Sequence, residues 1–239
     1  MNMSKRMGVP GRLAVMILIG LASGAAPAET PLEEWDGRLE TLHEHAAPSA
    51  AGKTPLMEAA AEGALGRIGE LLAGGAEVDQ RNANGGTALM YAASAGHLDV
   101  MRLLLEKGAD PAARARIGWT AMLVAAAKGQ EDAVALLLDA GADPRETDAY
   151  GWTPLMRAVS GGYEDTVAVL LACGRVDLKA REESGATVLH IAAGRGYASI
   201  VKRLLEAGAE RLAADGEGRT PADVARLLGH QEAEALLRG

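Results

Sequence analysis

Few residues of this 239-residue chain could react or hold a metal. There are five histidines and one cysteine, Cys173. His43 and His45 flank Glu44. Residues two apart lie on different sides of a helix, so a metal there would need further ligands from elsewhere. They read as exposed side chains near a helix end. A single cysteine excludes an intrachain disulfide, and Cys173 reads as a small apolar filler. Carboxylate pairs occur at Glu131-Asp132 and Glu164-Asp165, each just before an apolar run. Negative charge suits the first turn of a helix, so they read as dipole partners. No nucleophile elbow, zinc-protease, paired-cysteine or phosphate-loop pattern is found. No catalytic residue, metal ligand or cofactor is assigned, and a non-enzyme is expected.

What recurs instead is Gly-x-Thr. The threonines are Thr54, Thr87, Thr120, Thr153, Thr187 and Thr220, spaced 33, 33, 33, 34 and 33 residues apart. Glycine stands two before each, and again nine after each: Gly63, Gly96, Gly129, Gly162, Gly196 and Gly229. A period in this range signals a stacked solenoid. Each unit reads as two short helices. Threonine caps the first, with Pro55, Pro154 and Pro221 at the first helical position. The second glycine ends it in a left-handed turn. A Leu-rich helix follows, as in "VMRLLLEKG" (100–108), and then an Asp/Gly/Pro-rich hairpin loop such as 142–152.

With Thr-Pro-Leu, an alanine pair and the phased glycines on the page, the units resemble ankyrin repeats. The stretch "GGTALMYAASAGHLDVMRLLLEKGAD" (85–110) matches almost throughout. The resemblance implies an all-α solenoid of helix-turn-helix units with β-hairpin loops. About six repeats are expected, near 48–81, 82–114, 115–147, 148–181, 182–214 and 215–239, within a domain spanning 47–239. It is nearly silent on function, beyond implying that any partner is read on the columns the repeat leaves free. Three departures stand out. The family's histidine after Thr-Pro-Leu survives only as His190, its place taken by Met57, Met90, Leu123, Met156 and Asp223. Methionine fills space but loses the hydrogen bonds histidine makes between repeats. "GRVD" (174–177) carries one extra residue, which should shift or bulge that finger. Proline is absent at Ala88, Ala121 and Val188.

The ends read differently. Lys5, Arg6 and Arg12, the apolar run 13–22 and "APA" (26–28) form a signal peptide cleaved after Ala28. The run is too short to span a bilayer. Export to a periplasm is expected. Residues 29–46 then supply an N-terminal capping helix, with Leu32, Trp35, Leu39 and Leu42 on one face. A polar outer surface in 224–239 suits a C-terminal cap, because an internal repeat would expose an apolar face. Loss of three signal-segment cations takes the formal charge from −8 to −11 (21 cations against 32 anions). Such a surface lacks the basic stripe that nucleic acid requires and is ill-suited to anionic lipid. A soluble monomer is expected, with no membrane contact after cleavage.

Within a unit, the columns not locked by the repeat lie four, three and one before threonine and seven and eight after it. In the middle repeats these columns hold Arg116, Ile117, Trp119, Lys128, Tyr150, Trp152 and Arg195. Neighbouring repeats stack about 10 Å apart, which would set the two indoles side by side. Binding hot spots favour Trp, Tyr and Arg, so these seven residues are the candidate protein-binding face. The opposite reading is that each indole folds down over its hairpin and protects the stack. Two functions remain open: an exported interaction scaffold, or an inhibitor or immunity-type antagonist whose acidic surface covers a basic enzyme or toxin.

Overall fold

The computed structural model describes residues 52–239; the signal segment and the capping helix expected over 29–46 lie outside the described residues. Among the described residues, twelve helices form six pairs: α1 (Pro55–Glu62) with α2 (Leu65–Ala73), α3 (Ala88–Ala95) with α4 (Leu98–Glu106), α5 (Ala121–Ala127) with α6 (Glu131–Asp139), α7 (Pro154–Gly161) with α8 (Glu164–Ala172), α9 (Val188–Arg195) with α10 (Ala198–Glu206), and α11 (Pro221–Leu227) with α12 (Gln231–Arg238). The period predicted from threonine is thus a pair of helices, and the fold is an all-helical solenoid.

Threonine starts the first helix of every pair. Its hydroxyl accepts the N–H three residues on at Thr54, Thr120, Thr153 and Thr220, at 3.2–3.3 Å. Thr87 sits in the same extended conformation but makes no such bond. First helices approach one another closely because they carry paired small residues. Ala59-Ala60, Ala92-Ala93, Ala125-Ala126, Ala158-Val159 and Ala192-Ala193 are all 0% exposed. Second helices add Met101, Leu104, Leu137, Leu170 and Leu204 to the same core. Each buried side chain of this size contributes roughly 1.5–3 kcal/mol. Leu, Met, Val and Ala therefore do the work that aromatic rings do in other cores.

The glycine that ends each first helix has two duties, well shown at Gly129. Its φ of +68° is the left-handed turn, and a Cβ there would lie 2.5 Å from the Tyr163 ring. The residue after this glycine in one repeat covers the glycine of the repeat before. His97 lies on Gly63, Tyr163 on Gly129, Tyr197 on Gly162 and His230 on Gly196. His97 and His230 add a ring-nitrogen bond, each 3.1 Å, to the Ala61 and Gly194 carbonyls.

The loops reach out as fingers held by single bonds rather than by regular strands. No strand is found among the described residues, so the hairpin expectation holds for the turn but not for extended pairing. Inside each finger one N–H meets a carbonyl four residues on, as in Ala115 to Trp119 (2.8 Å) and Asp148 to Trp152 (3.1 Å). Between fingers one bond joins each tip to the last: Arg116 N–H to Asn84 O, Ala149 to Ile117, Glu183 to Tyr150 and Gly216 to Ser184, at 2.8–3.1 Å. The extra residue at 174–177 is absorbed before the finger begins. Lys179 N–H bonds Asp177 Oδ1 at 2.9 Å, just as Arg145 N–H bonds Asp143 Oδ1 at 3.0 Å one repeat earlier. Beyond Asp177 the finger keeps its register, through Glu182 N–H to Ala186 O at 3.0 Å.

Candidate protein-interaction face

In the second, fourth, fifth and sixth fingers, though not in the third, where Ala115 stands, the tip is closed by the residue five before threonine. Its side-chain oxygen receives the N–H groups two and four residues on, which closes the finger tip. Asn82 does so for Asn84 (3.0 Å) and Gly86 (2.8 Å), and Asp148 for Tyr150 (2.9 Å) and Trp152 (3.0 Å). Glu182 and Asp215 repeat the arrangement in the fifth and sixth fingers. Asp148 thereby fixes both aromatic residues of the fourth finger through their own backbone.

The second oxygen of Asp148 pairs with Nη2 of Arg157, a residue of α7. Both are buried: Arg157 is 6% exposed and Asp148 4%. The Arg157 guanidinium carbon lies 5.0 Å from the Trp119 ring centroid and 4.6 Å from that of Trp152. Burial pushes the guanidinium pKa down, while Asp148 and then Tyr150 oppose it. A desolvated cation over an indole is stabilised by about 2 kcal/mol, and here one cation serves two rings on neighbouring repeats. Trp119 (third repeat), Trp152 and Asp148 (fourth finger) and α7 are thereby joined in one cluster.

This cluster corrects the expected face in one respect. Trp119 is 3% exposed and belongs to the core, so it is not a free side chain offered to a partner. The two indoles do not simply stack on each other; Arg157 lies over both. The reading in which an indole folds down over the hairpin describes Trp119. Trp152 is half-buried, as are Tyr150 and Ile117, and Arg116 is exposed. These four lie on adjoining finger tips, linked by the Ala149 to Ile117 bond. Lys128 and Arg195 stand apart, at the C-terminal ends of α5 and α9. A helix of seven residues rises about 10 Å, and that is roughly their distance from the fingers. Arg195 reaches back to the buried Ser160 hydroxyl at 3.4 Å. The seven residues thus form a finger-tip group over a buried indole, and a separate pair of cations.

Arg157 escaped the sequence reading, though a signal existed. Four residues after threonine the column reads Glu58, Tyr91, Val124, Arg157, Ile191 and Val224. An arginine among apolar neighbours, nine residues after an aspartate, marks a buried pair. Elsewhere no group of three or more His, Cys, Asp or Glu side chains gathers in metal-binding geometry among the described residues. None of the described helices is long and apolar enough to cross a membrane.

Comparison with known proteins decides the family. A family model described as "Ankyrin repeats (3 copies)" matches residues 36–115 and 113–181, and one described as "Ankyrin repeats (many copies)" matches 170–225. The chain belongs to the ankyrin-repeat family. An ankyrin repeat domain from Acinetobacter baumannii AYE is 36% identical, with a TM-score of 0.70 over 77% of this chain and 96% of that one. The ankyrin repeat protein EF0377 is 30% identical, with a TM-score of 0.71 over 80% of this chain and 98% of that one. Shorter matches reach a tyrosine-protein kinase, HTK16, of Hydra vulgaris (43% over 61 residues, 26% of this chain) and protein phosphatase 1 regulatory subunit 27 of Mus musculus (44% over 48 residues, 20% of this chain). The aligned parts span only 8% and 31% of those two proteins. An ankyrin-repeat chain is, in general terms, a protein-interaction scaffold; fold alone names no partner.

Proposed function

We propose that this ankyrin-repeat chain is an exported, non-catalytic scaffold that holds one protein partner on the fingers of its third and fourth repeats. Arg116, Ile117, Tyr150 and Trp152 make the contact, Lys128 and Arg195 extend it along the first helices, and Trp119 supports it from beneath. The observation behind this reading is the Asp148–Arg157–Trp119–Trp152 cluster. It presents a half-buried indole on a rigid base, and preorganised aromatic anchors bind without losing much conformational freedom. The basic residues Lys5, Arg6 and Arg12 before the apolar run 13–22 are the sequence feature behind the export reading.

The test is site-specific photo-crosslinking of the full-length chain in cells of its source. Probes at Arg116 and Tyr150 should yield a discrete adduct, whereas probes at Asp132 and Asp165, on the helix-two side, should not. Adducts only from the second pair would overturn the proposal.

The antagonist reading keeps one observation in its favour. Between them α6 and α8 carry Glu131, Asp132, Asp139, Glu164 and Asp165 and no lysine or arginine. A basic partner on that side would be steered by charge, and its capture would fall steeply between low and moderate salt. Capture on the finger face, anchored by apolar contact, would survive the same salt.

A further inference from the structure

The six repeats differ in what fills the position three after threonine. Met57, Met90, Leu123 and Met156 fill it with apolar atoms, all buried. His190 fills it with an imidazole, 3% exposed, whose two nitrogens are both committed. Nδ1 lies 3.2 Å from the Thr187 N–H and 2.9 Å from its hydroxyl. Nε2 lies 3.0 Å from the carbonyl oxygen of Arg219, in the next repeat. A carbonyl accepts only, so Nε2 carries the proton. The Thr187 N–H donates only, so Nδ1 must be bare. The ring fits as a neutral acceptor–donor bridge, and an added proton would set an N–H against an N–H.

We infer that His190 is an acid-labile clasp between the fifth and sixth repeats, so that mild acid loosens the sixth repeat (215–239) and leaves the others closed. The same junction holds a second histidine, which makes the contrast sharp. His230 also bridges to the fifth repeat, through Nε2 to Gly194 O. Its Nδ1 receives no backbone N–H, so the bridge needs only a donor. His97 does the same at the first junction. Among the described histidines, only His190 is used as an acceptor.

The surroundings do not welcome a charge on His190. Desolvation acts first and holds the imidazole below its ordinary value; Arg181 and Arg219 add repulsion, and the Arg219 carbonyl and Asp215 oppose. The Asp215 carboxylate is already engaged by Arg219 Nε (2.9 Å) and by the Glu217 and Arg219 N–H groups. On the helices packed against α9, the ionisable groups are engaged or exposed. Arg157 of α7 is held by Asp148, Asp223 and Arg226 of α11 pair at 2.9 Å, and Lys202, Arg203 and Glu206 of α10 are exposed. A folded-state pKa below the unfolded one means the unfolded chain binds the extra proton. The clasp is therefore at full strength above the unfolded imidazole pKa, near 6.5, and weakens as pH falls below it. Within the described residues the sixth repeat packs on the fifth alone, so the loss stays local.

Backbone hydrogen exchange of the full chain, corrected for intrinsic rates, tests this at pH 7.5 and pH 5.0. Amides of α11 and α12 should lose protection by up to about thirtyfold, the ceiling set by an unfolded imidazole pKa near 6.5 and a pH of 5.0, while those of α3 and α5 keep theirs. His190→Met, the residue three other repeats already use, should abolish the difference between pH values, and His190→Leu, copying the third repeat, should do the same. Nitrogen NMR at pH 7.5 should show the Nε2–H tautomer for His190. An acid effect of equal size in His190→Met, an acid effect spread evenly over all repeats, or the Nδ1–H tautomer would each overturn the inference.

Discussion

The second and fourth repeats close their fingers with the same geometry and opposite electrostatics. In the second, Asn82 holds the tip with Oδ1 and gives Nδ2–H to the Tyr91 hydroxyl at 3.0 Å. In the fourth, Asp148 holds the tip with Oδ1 and takes Arg157 on Oδ2. The partners sit at equal positions, nine residues apart in both repeats. One pair is neutral and only partly buried; the other is charged and dry. A neutral hydrogen bond contributes about 1 kcal/mol net. A buried ion pair contributes little net but is costly to break, because one partner is left charged without water. The fourth repeat has thus traded safety for rigidity, and it does so where the two indoles need support.

That comparison is broken most severely by removing one ion. Arg157→Ala should cost about 3–5 kcal/mol, read as a fall in the denaturant midpoint of the purified chain. Arg157→Met keeps most of the volume and should cost nearly as much, because the stranded Asp148 carboxylate sets the penalty. The double change Asp148→Asn with Arg157→Tyr imports the second repeat's pair and should recover most of the loss. If the single Arg157→Met variant were as stable as the double, the pair would not be the cause.

The indoles come next. Trp119→Ala empties a core site and should cost about 3–5 kcal/mol, with fast unfolding of the central repeats. Trp152, half-buried, should cost clearly less on the same change while weakening partner capture more. The two residues occupy one column of the repeat, yet stability and binding should separate between them. Equal stability losses would mean that both rings are scaffold.

Much of this was legible from letters alone. The threonine period placed every helix pair, because capping and left-handed turns depend on local residue type. The inter-repeat bridge of His190 followed from the family pattern and appears as expected. Trp119 was misplaced because column reasoning asks which positions the repeat constrains. It does not ask what a particular neighbour will cover. Arg157 of the next repeat lies over the ring, and Asp148 pairs with that Arg157. A chain of three non-adjacent choices is invisible to a one-column reading. The extra residue of 174–177 was visible, but its harmlessness was not: the following Asp177 turn restores the register.

The smallest effect sharpens the same lesson at a single atom. Thr87 and Thr153 are the same residue at the same position of the second and fourth repeats. Both are buried, 1% and 3% exposed. Thr153 Oγ1 accepts the Met156 N–H at 3.2 Å, whereas Thr87 Oγ1 has no hydrogen-bond partner. An N-cap hydroxyl lost from a working cap costs about 1 kcal/mol, and a buried hydroxyl without a partner is itself a cost. Valine keeps the shape and removes only the oxygen. Thr153→Val should therefore lower stability by about 1 kcal/mol, while Thr87→Val should be neutral or slightly stabilising. Thermal melts of the two variants give the sign directly. A loss of equal size at Thr87 would mean that the second repeat uses its cap in solution.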